Sequence, residues 1–240
     1  QHCGSSASTA ASEAAQTPST PSTHWGGLSP PSAPSSCAST RYVVTSWKRG
    51  EELGSGAFGS VYLGQDQQTG RLFAVKVSRV MDSSGQAEKL KRELDILHGL
   101  HHPHIVECLG HEYVDQRLHV FLEYVPGGSL RRMVDEFGPL DERLLCKATR
   151  GVLEGLEFLH TRTPPVVHRD LKGANVLVDH WFCVKLADFG CSKCDALSQS
   201  FSACGTVCWM APEVITQTGG HGRKADVWSF GCLLIEMSTA

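Results

Sequence analysis

The chain has 240 residues, a net charge of −3, and 41% hydrophobic and 20% charged residues, the balance expected of a soluble globular protein. So small a charge gives no electrostatic footprint for nucleic acid or an anionic membrane. No apolar run is long enough to cross a bilayer, and the start lacks the charged-then-apolar pattern of a secretion signal. Residue 1 is Gln rather than Met, so the natural start, with any targeting segment, is expected further upstream.

Residues 1–43 are mostly Ser, Thr, Ala and Pro with few large apolar side chains. Such a segment buries too little surface to offset its ordering entropy and is predicted to be disordered. It reads either as a plain linker or as a phosphorylated regulatory arm that meets partners, through Thr17-Pro18, Thr20-Pro21 and Ser29-Pro30. From Trp47 the pattern changes. Residues 51–53, 60–65 and 72–78 read as short strands rich in β-branched and aromatic residues between glycines. Residues 86–100 read as a helix, with Leu90, Leu94 and Leu97 on one face. Strands are predicted again over 105–108, 112–115 and 118–124. After Gly128 the reading is mainly helical: 130–137, 141–160 and 224–237. A strand-rich half followed by a helix-rich half predicts an α+β protein of two lobes with a cleft between them.

Five motifs lie along this frame. Leu53-Gly54-Ser55-Gly56-Ala57-Phe58-Gly59 is followed by Ser60-Val61-Tyr62-Leu63. The glycines thus join two strands, whereas a dinucleotide-binding unit uses them to open a helix. The absence of Gly-Lys-Ser/Thr argues against a Walker loop. Lys76 lies in Phe73-Ala74-Val75-Lys76, where burial without a partner would be costly. Then come His168-Arg169-Asp170-Leu171-Lys172-Gly173-Ala174-Asn175, Asp188-Phe189-Gly190 and Ala211-Pro212-Glu213.

In this order and spacing the motifs resemble the protein-kinase signature, from about Trp47 to the end. The resemblance implies a two-lobed kinase fold: a small β-rich lobe over 47–125 with one key helix, and a larger helical lobe over 126–240. The chain stops in what looks like the central helix of the larger lobe. No later arginine is present to pair with Glu213, as the family has, so a C-terminally truncated domain is expected. The implied cofactors are ATP and Mg²⁺. Lys76 would meet the α- and β-phosphates and a helix glutamate, Glu93 in preference to Glu88. Leu53 and the glycine loop, through Val61, would cover the phosphates. Val61, Ala74 and Leu177 would sandwich the adenine, and the main chain of Glu123 and Val125, after Leu122, would meet its edge. Asp170 would be the catalytic base, Lys172 would stabilise charge on the transferring phosphoryl group, and Asn175 and Asp188 would hold Mg²⁺. Lys172 and the stretch Gly205-Thr206-Val207-Cys208-Trp209-Met210 resemble serine/threonine kinases. There Thr206 would bridge Asp170 and Lys172. Arg169 would await a phosphate on the activation segment, whose candidates are Ser198, Ser200, Ser202 and Thr206; Ser200 or Ser202 is preferred.

Two clusters invite a metal reading. His98, His101, His102 and His104 surround Pro103, where the family commonly has His-Pro. Cys191, Cys194, Cys204 and Cys208 have zinc-like spacing but fall in a segment that must move, so a redox role is the stronger alternative. The ten cysteines are expected to be free thiols, as in a reducing compartment. Val120 to Ser129, Lys172 to Asp179 and Lys185 to Gly190 resemble MAP kinase kinase kinases of the MEK-kinase group. That resemblance implies a cytoplasmic signalling enzyme whose protein substrate is a MAP kinase kinase. The alternatives are a kinase-fold fragment acting as an inactive nucleotide- or partner-binding module, and a nucleotide-binding protein that is not a kinase.

Overall fold

The computed structural model describes residues 44–56, 59–78, 94–189, 193–194, 205–218 and 221–239. Five antiparallel strands form the N-terminal sheet: β1 (Trp47–Gly56), β2 (Gly59–Asp66), β3 (Leu72–Ser78), β4 (Cys108–Val114) and β5 (Arg117–Glu123), in the order β1-β2-β3-β5-β4. Opposed residues of an antiparallel pair face the same side. The register pairs Val61 with Lys76, Leu63 with Ala74 and Ala74 with Leu122. Val61, Ala74, Lys76 and Leu122 therefore share one face. The other face carries Phe73, Val75 and Phe121, packed with Trp47, Tyr62 and Leu109. There the ring pairs Trp47–Phe73, Trp47–Phe121 and Phe73–Phe121 meet edge-on at 6.1, 5.8 and 5.4 Å, the arrangement favoured by ring quadrupoles.

Residues 94–98 are helical (α1). Leu94 and Leu97 of α1 pack on Cys108, Leu118, Val120 and Leu122, so the expected helix docks on the face that carries Lys76. Its predicted first part, with Glu88 and Glu93, lies outside the described residues.

The reading of strands at 105–108 and 112–115 is corrected. One strand, Cys108–Val114, takes only the last residue of the first and most of the second, with a register shift between Cys108 and Gly110. Ile105 and Val106 leave the sheet because their hydrogen-bond partners lie in the other half of the protein. Ile105 bridges Leu186, the Val106 N–H donates to the Leu186 carbonyl, and the Leu186 N–H donates to the His104 carbonyl.

The C-terminal half is built on α2 (Leu130–Phe137), α3 (Glu142–His160) and α5 (Arg223–Thr239), with a one-turn α4 (Pro212–Ile215). Ser129 caps α2 by accepting from the Arg132 N–H, and Asp141 caps α3 by accepting from the Leu144 N–H at 2.8 Å; each satisfies a donor the helix start leaves open. Ala148, Val152, Leu156 and Leu159 recur at helical spacing and form the buried stripe of α3. They pack with Leu130, Leu171, Phe230, Leu233 and Met237 in the largest core, where full burial of each large aliphatic side chain contributes about 1.5–3 kcal/mol.

Short strands β6 (Val166–Val167), β7 (Val176–Val178) and β8 (Val184–Leu186) contribute to this core; β6 pairs with β9 (Lys193–Cys194) and β7 with β8. The loop from β6 to β7 is thus anchored at both ends, and it carries Asp170, Lys172 and Asn175. No helix among the described residues is long and apolar enough to cross a membrane.

Candidate active site

A buried acid sets the course of the β6–β7 loop. Asp226, in the first turn of α5, is fully buried. Its two oxygens accept the main-chain N–H groups of His168 (2.8 Å) and Arg169 (2.9 Å), and Oδ2 also meets His160 Nε2 at 2.8 Å. Burial alone would raise its pKa. The hydrogen bond from His160, the nearby His168 and the two N–H donors outweigh that and hold it below the usual carboxylate range. His168 is itself buried, its Nε2 3.0 Å from the Ala187 carbonyl and its ring 5.1 Å from that of Phe189. Arg169 and Asp188 both take positive φ, 72° and 59°, a costly conformation for residues with a Cβ that is often found at functional sites.

The loop then presents Asp170. Asp170 Oδ2 accepts from Lys172 Nζ (2.9 Å) and Asn175 Nδ2 (2.8 Å), while Oδ1 accepts from Thr206 Oγ1 (2.8 Å). Lys172 Nζ also donates to Thr206 Oγ1 at 2.5 Å. Asn175 Nδ2 donates a second bond to the Asp170 carbonyl at 2.7 Å. The carboxylate is thus fixed by three hydrogen bonds, from Lys172, Asn175 and Thr206. The structure brings together Asp170, Lys172, Asn175 and Thr206, with the Thr206 hydroxyl between the Asp170 carboxylate and the Lys172 amine.

Across from this group, Lys76 Nζ lies 2.5 Å from Asp188 Oδ1, the two side chains 24% and 36% exposed. The sheet and the segment after β8 therefore meet through the two ionisable residues expected at the phosphates and the metal. Asn175 turns its amide nitrogen to Asp170, so its oxygen is the group available to a cation. With the Asp188 carboxylate it makes an all-oxygen donor set of the kind a hard cation such as Mg²⁺ prefers, and the residues fit that ion.

Ala74 of β3 is 9% exposed and Val125, just past β5, 6% exposed, while Val61 of β2, Leu122 of β5 and Leu177 of β7 are half-buried. In the glycine loop, Gly54 has open space where a Cβ would be, leaving room for a ligand. Gly59 is demanded by the sheet itself, for at φ 141° its Cβ would stand 2.0 Å from the Val77 carbonyl oxygen. Ala57 and Phe58 lie outside the described residues. The Glu123 N–H donates to the Glu107 carbonyl (2.9 Å), and the Glu123 side chain pairs with Lys185 at 2.9 Å.

Arg169 is 3% exposed, and its Nη2 donates to the His221 carbonyl at 3.3 Å. Ser198, Ser200 and Ser202, with Cys191 and Cys204, lie outside the described residues. Cys208 is exposed, and it, Cys108, Cys146, Cys183 and Cys232 are free thiols. The four histidines turn to different neighbours. His98 lies against His111, His101 faces Glu107, His102 stacks on Phe158, and His104 spans from Glu154 to the Val184 carbonyl. Among the described residues no group of three or more His, Cys, Asp or Glu side chains is placed to hold a metal.

Sequence reasoning missed Asp226, His160, Lys185 and Glu236. The one available signal was for Asp226: an acid inside the apolar run Ala225-Asp226-Val227-Trp228 of a predicted helix.

The family model described as protein kinase domain matches residues 47–240. Among curated proteins, the chain is 46% identical to mitogen-activated protein kinase kinase kinase A of Dictyostelium discoideum, covering 81% of this chain and 21% of that protein. It is 45% identical to mitogen-activated protein kinase kinase kinase ANP1 of Arabidopsis thaliana, covering 88% and 33%. It is 41% identical to mitogen-activated protein kinase kinase kinase YODA of the same plant, covering 90% and 25%. The chain thus spans a fifth to a third of the length of these relatives.

Proposed function

The chain belongs to the protein kinase family, and on that premise we propose that it transfers the γ-phosphoryl group of ATP to a serine or threonine hydroxyl of another protein. The observation that carries this reading is the threefold hold on the Asp170 carboxylate by Lys172, Asn175 and Thr206. A carboxylate placed this way accepts the proton of the attacking hydroxyl and aims its oxygen at phosphorus. Lys172, shared between Asp170 and Thr206, carries a positive charge to where negative charge develops on the phosphoryl oxygens. Lys76 orients the α- and β-phosphates, and Glu93 is its expected helix partner. The main chain of Glu123 and Val125 meets the adenine edge, between Val61 and Ala74 on one side and Leu177 on the other. Asn175 and Asp188 hold Mg²⁺. When bound, Mg²⁺ neutralises charge on the phosphate oxygens.

The relatives reported above are named as MAP kinase kinase kinases, which supports a place in a cytoplasmic phosphorylation cascade with a MAP kinase kinase as substrate. Ser200 or Ser202 is the proposed site of activating phosphorylation, with Arg169 as its receiving cation.

The test is transfer of labelled γ-phosphate from ATP·Mg²⁺ to a generic Ser/Thr peptide and to a MAP kinase kinase. Asp170→Asn is expected to lower kcat by at least about 10²-fold. A folded chain that binds ATP but transfers nothing to either substrate would instead establish the inactive binding module.

A further inference from the structure

Glu236 sits ten residues beyond Asp226 on α5, beside the buried Leu233 and Met237, and its side chain is only 7% exposed. A carboxylate so enclosed is costly unless donors surround it. Its Oε2 accepts from two of them: the main-chain N–H of Gly173 at 2.9 Å and the indole Nε1 of Trp209 at 3.0 Å. Its Oε1 faces Arg131 Nη1 at 3.7 Å, and Arg131 has a closer partner in Asp135 at 2.6 Å.

The two donors belong to the two segments that converge on Asp170. Gly173 lies between Lys172 and Asn175, and Trp209 ends the short turn that follows Thr206. The approach is close: a Cβ at position 173 would stand 2.6 Å from Glu236 Oε1. Ser229 of α5 donates to the Trp209 carbonyl at 2.7 Å, so the helix holds that residue at both its indole and its main chain.

We propose that Glu236 is a positioning residue for phosphoryl transfer, a clamp whose single oxygen joins the catalytic loop at Gly173 to the turn at Trp209. It thereby fixes how Lys172, Asn175 and Thr206 converge on Asp170. The consequence for rate rests on the kinase reading above; the clamp itself does not.

The test compares the full chain with Glu236→Gln, Glu236→Met and Trp209→Phe by amide hydrogen exchange and by steady-state kinetics. Glutamine can place its amide oxygen where Oε2 stands and accept both donors, so Glu236→Gln keeps both bonds of the clamp in weaker, neutral form and loses the charge facing Arg131. Glu236→Met removes the acceptor. It is expected to speed exchange in residues 171–176 and 206–210 together by about tenfold or more, since the bonds lost were to a charged acceptor. Amides of α3 should keep their protection. The kcat of Glu236→Met is expected to fall by about ten- to a hundredfold, the scale of a small misplacement of catalytic groups, while KM for ATP stays put. Trp209→Phe should loosen 206–210 and lower kcat, with residues 171–176 still protected.

Unchanged exchange in Glu236→Met overturns the clamp, as does a response in only one of the two segments. Glu236→Gln behaving like Glu236→Met overturns it as well, by assigning the effect to the Arg131 charge. Should Glu236→Met fail to fold, Trp209→Phe decides, and unaltered exchange at 206–210 refutes the proposal. Exchange that follows the clamp in a wild-type chain devoid of transfer activity would establish the clamp and refute the kinase reading.

Discussion

Replacing Asp226 by Asn tests what holds the catalytic loop. The carboxylate is fully buried and accepts the N–H groups of His168 and Arg169 on separate oxygens, with His160 sharing one of them. An amide has one oxygen and one NH₂. Whichever way it turns, one main-chain N–H faces another donor, and the bond to the remaining N–H loses its ionic character. An orphaned buried donor costs about 1–3 kcal/mol, and weakening a bond to a charged group costs a similar amount. The sum is about 3 kcal/mol, a large part of the 5–15 kcal/mol that keeps a typical domain folded. For a domain of this size it corresponds to a fall in Tm of about 6–12 °C.

The assay is urea and thermal unfolding of both proteins at pH 7, then at falling pH. The folded-state pKa of Asp226 is depressed, so its contribution is present above the ordinary Asp value of 3.8 and is lost as pH drops through the lower folded value. The Asn variant should therefore lose less stability than the wild type on acidification below that value. A variant within about 1 kcal/mol of wild type at pH 7, a typical surface-scale effect, would refute the accounting of these bonds.

Thr206→Val removes the hydroxyl that bonds Asp170 and Lys172; kcat should fall about tenfold or more with KM for ATP unchanged, and Thr206→Ser should restore it. Lys76→Met should raise KM for ATP steeply and leave Asp188 without its ion-pair partner at Nζ, which nucleotide titration of the folded variant would show. His221 is 4% exposed, and burial, followed by the Arg169 charge, lowers its pKa. The unfolded chain therefore takes up a proton below the ordinary value of 6.5 that the folded one refuses, and stability drops as pH falls from there. His221→Phe should flatten that part of the pH–stability curve, and an unaltered slope between pH 5 and 6.5 in urea melts would count against it.

The arrangement of the candidate site was legible where it is local. Asp170, Lys172 and Asn175 lie within six residues, so their spacing in the chain is nearly their spacing in space. Thr206 could be joined to them only through the resemblance to a family. Asp226 and Glu236 escaped notice because their partners lie 27 to 66 residues away, and no periodicity links a helix residue to a distant main-chain N–H. The strand error at Ile105 has the same origin. Its β-branched, apolar neighbourhood fits a strand, but its partner is Leu186, and local pattern says nothing about which edge a residue will join. By contrast α2 was read at its true bounds, since a serine cap, an apolar stripe and a closing glycine all sit within ten residues.

The Asp226 fork grips peptide groups and no side chain at positions 168 and 169. Every residue except proline offers the same N–H, so the grip is blind to what stands there. A lineage could exchange Arg169 for another residue, giving up the proposed reception of a phosphate, without letting go of the loop. Regulation and architecture are in this way separable inheritances: a change of side chain at 169 touches the first, while the second depends on Asp226 and on peptide groups that every residue but proline supplies.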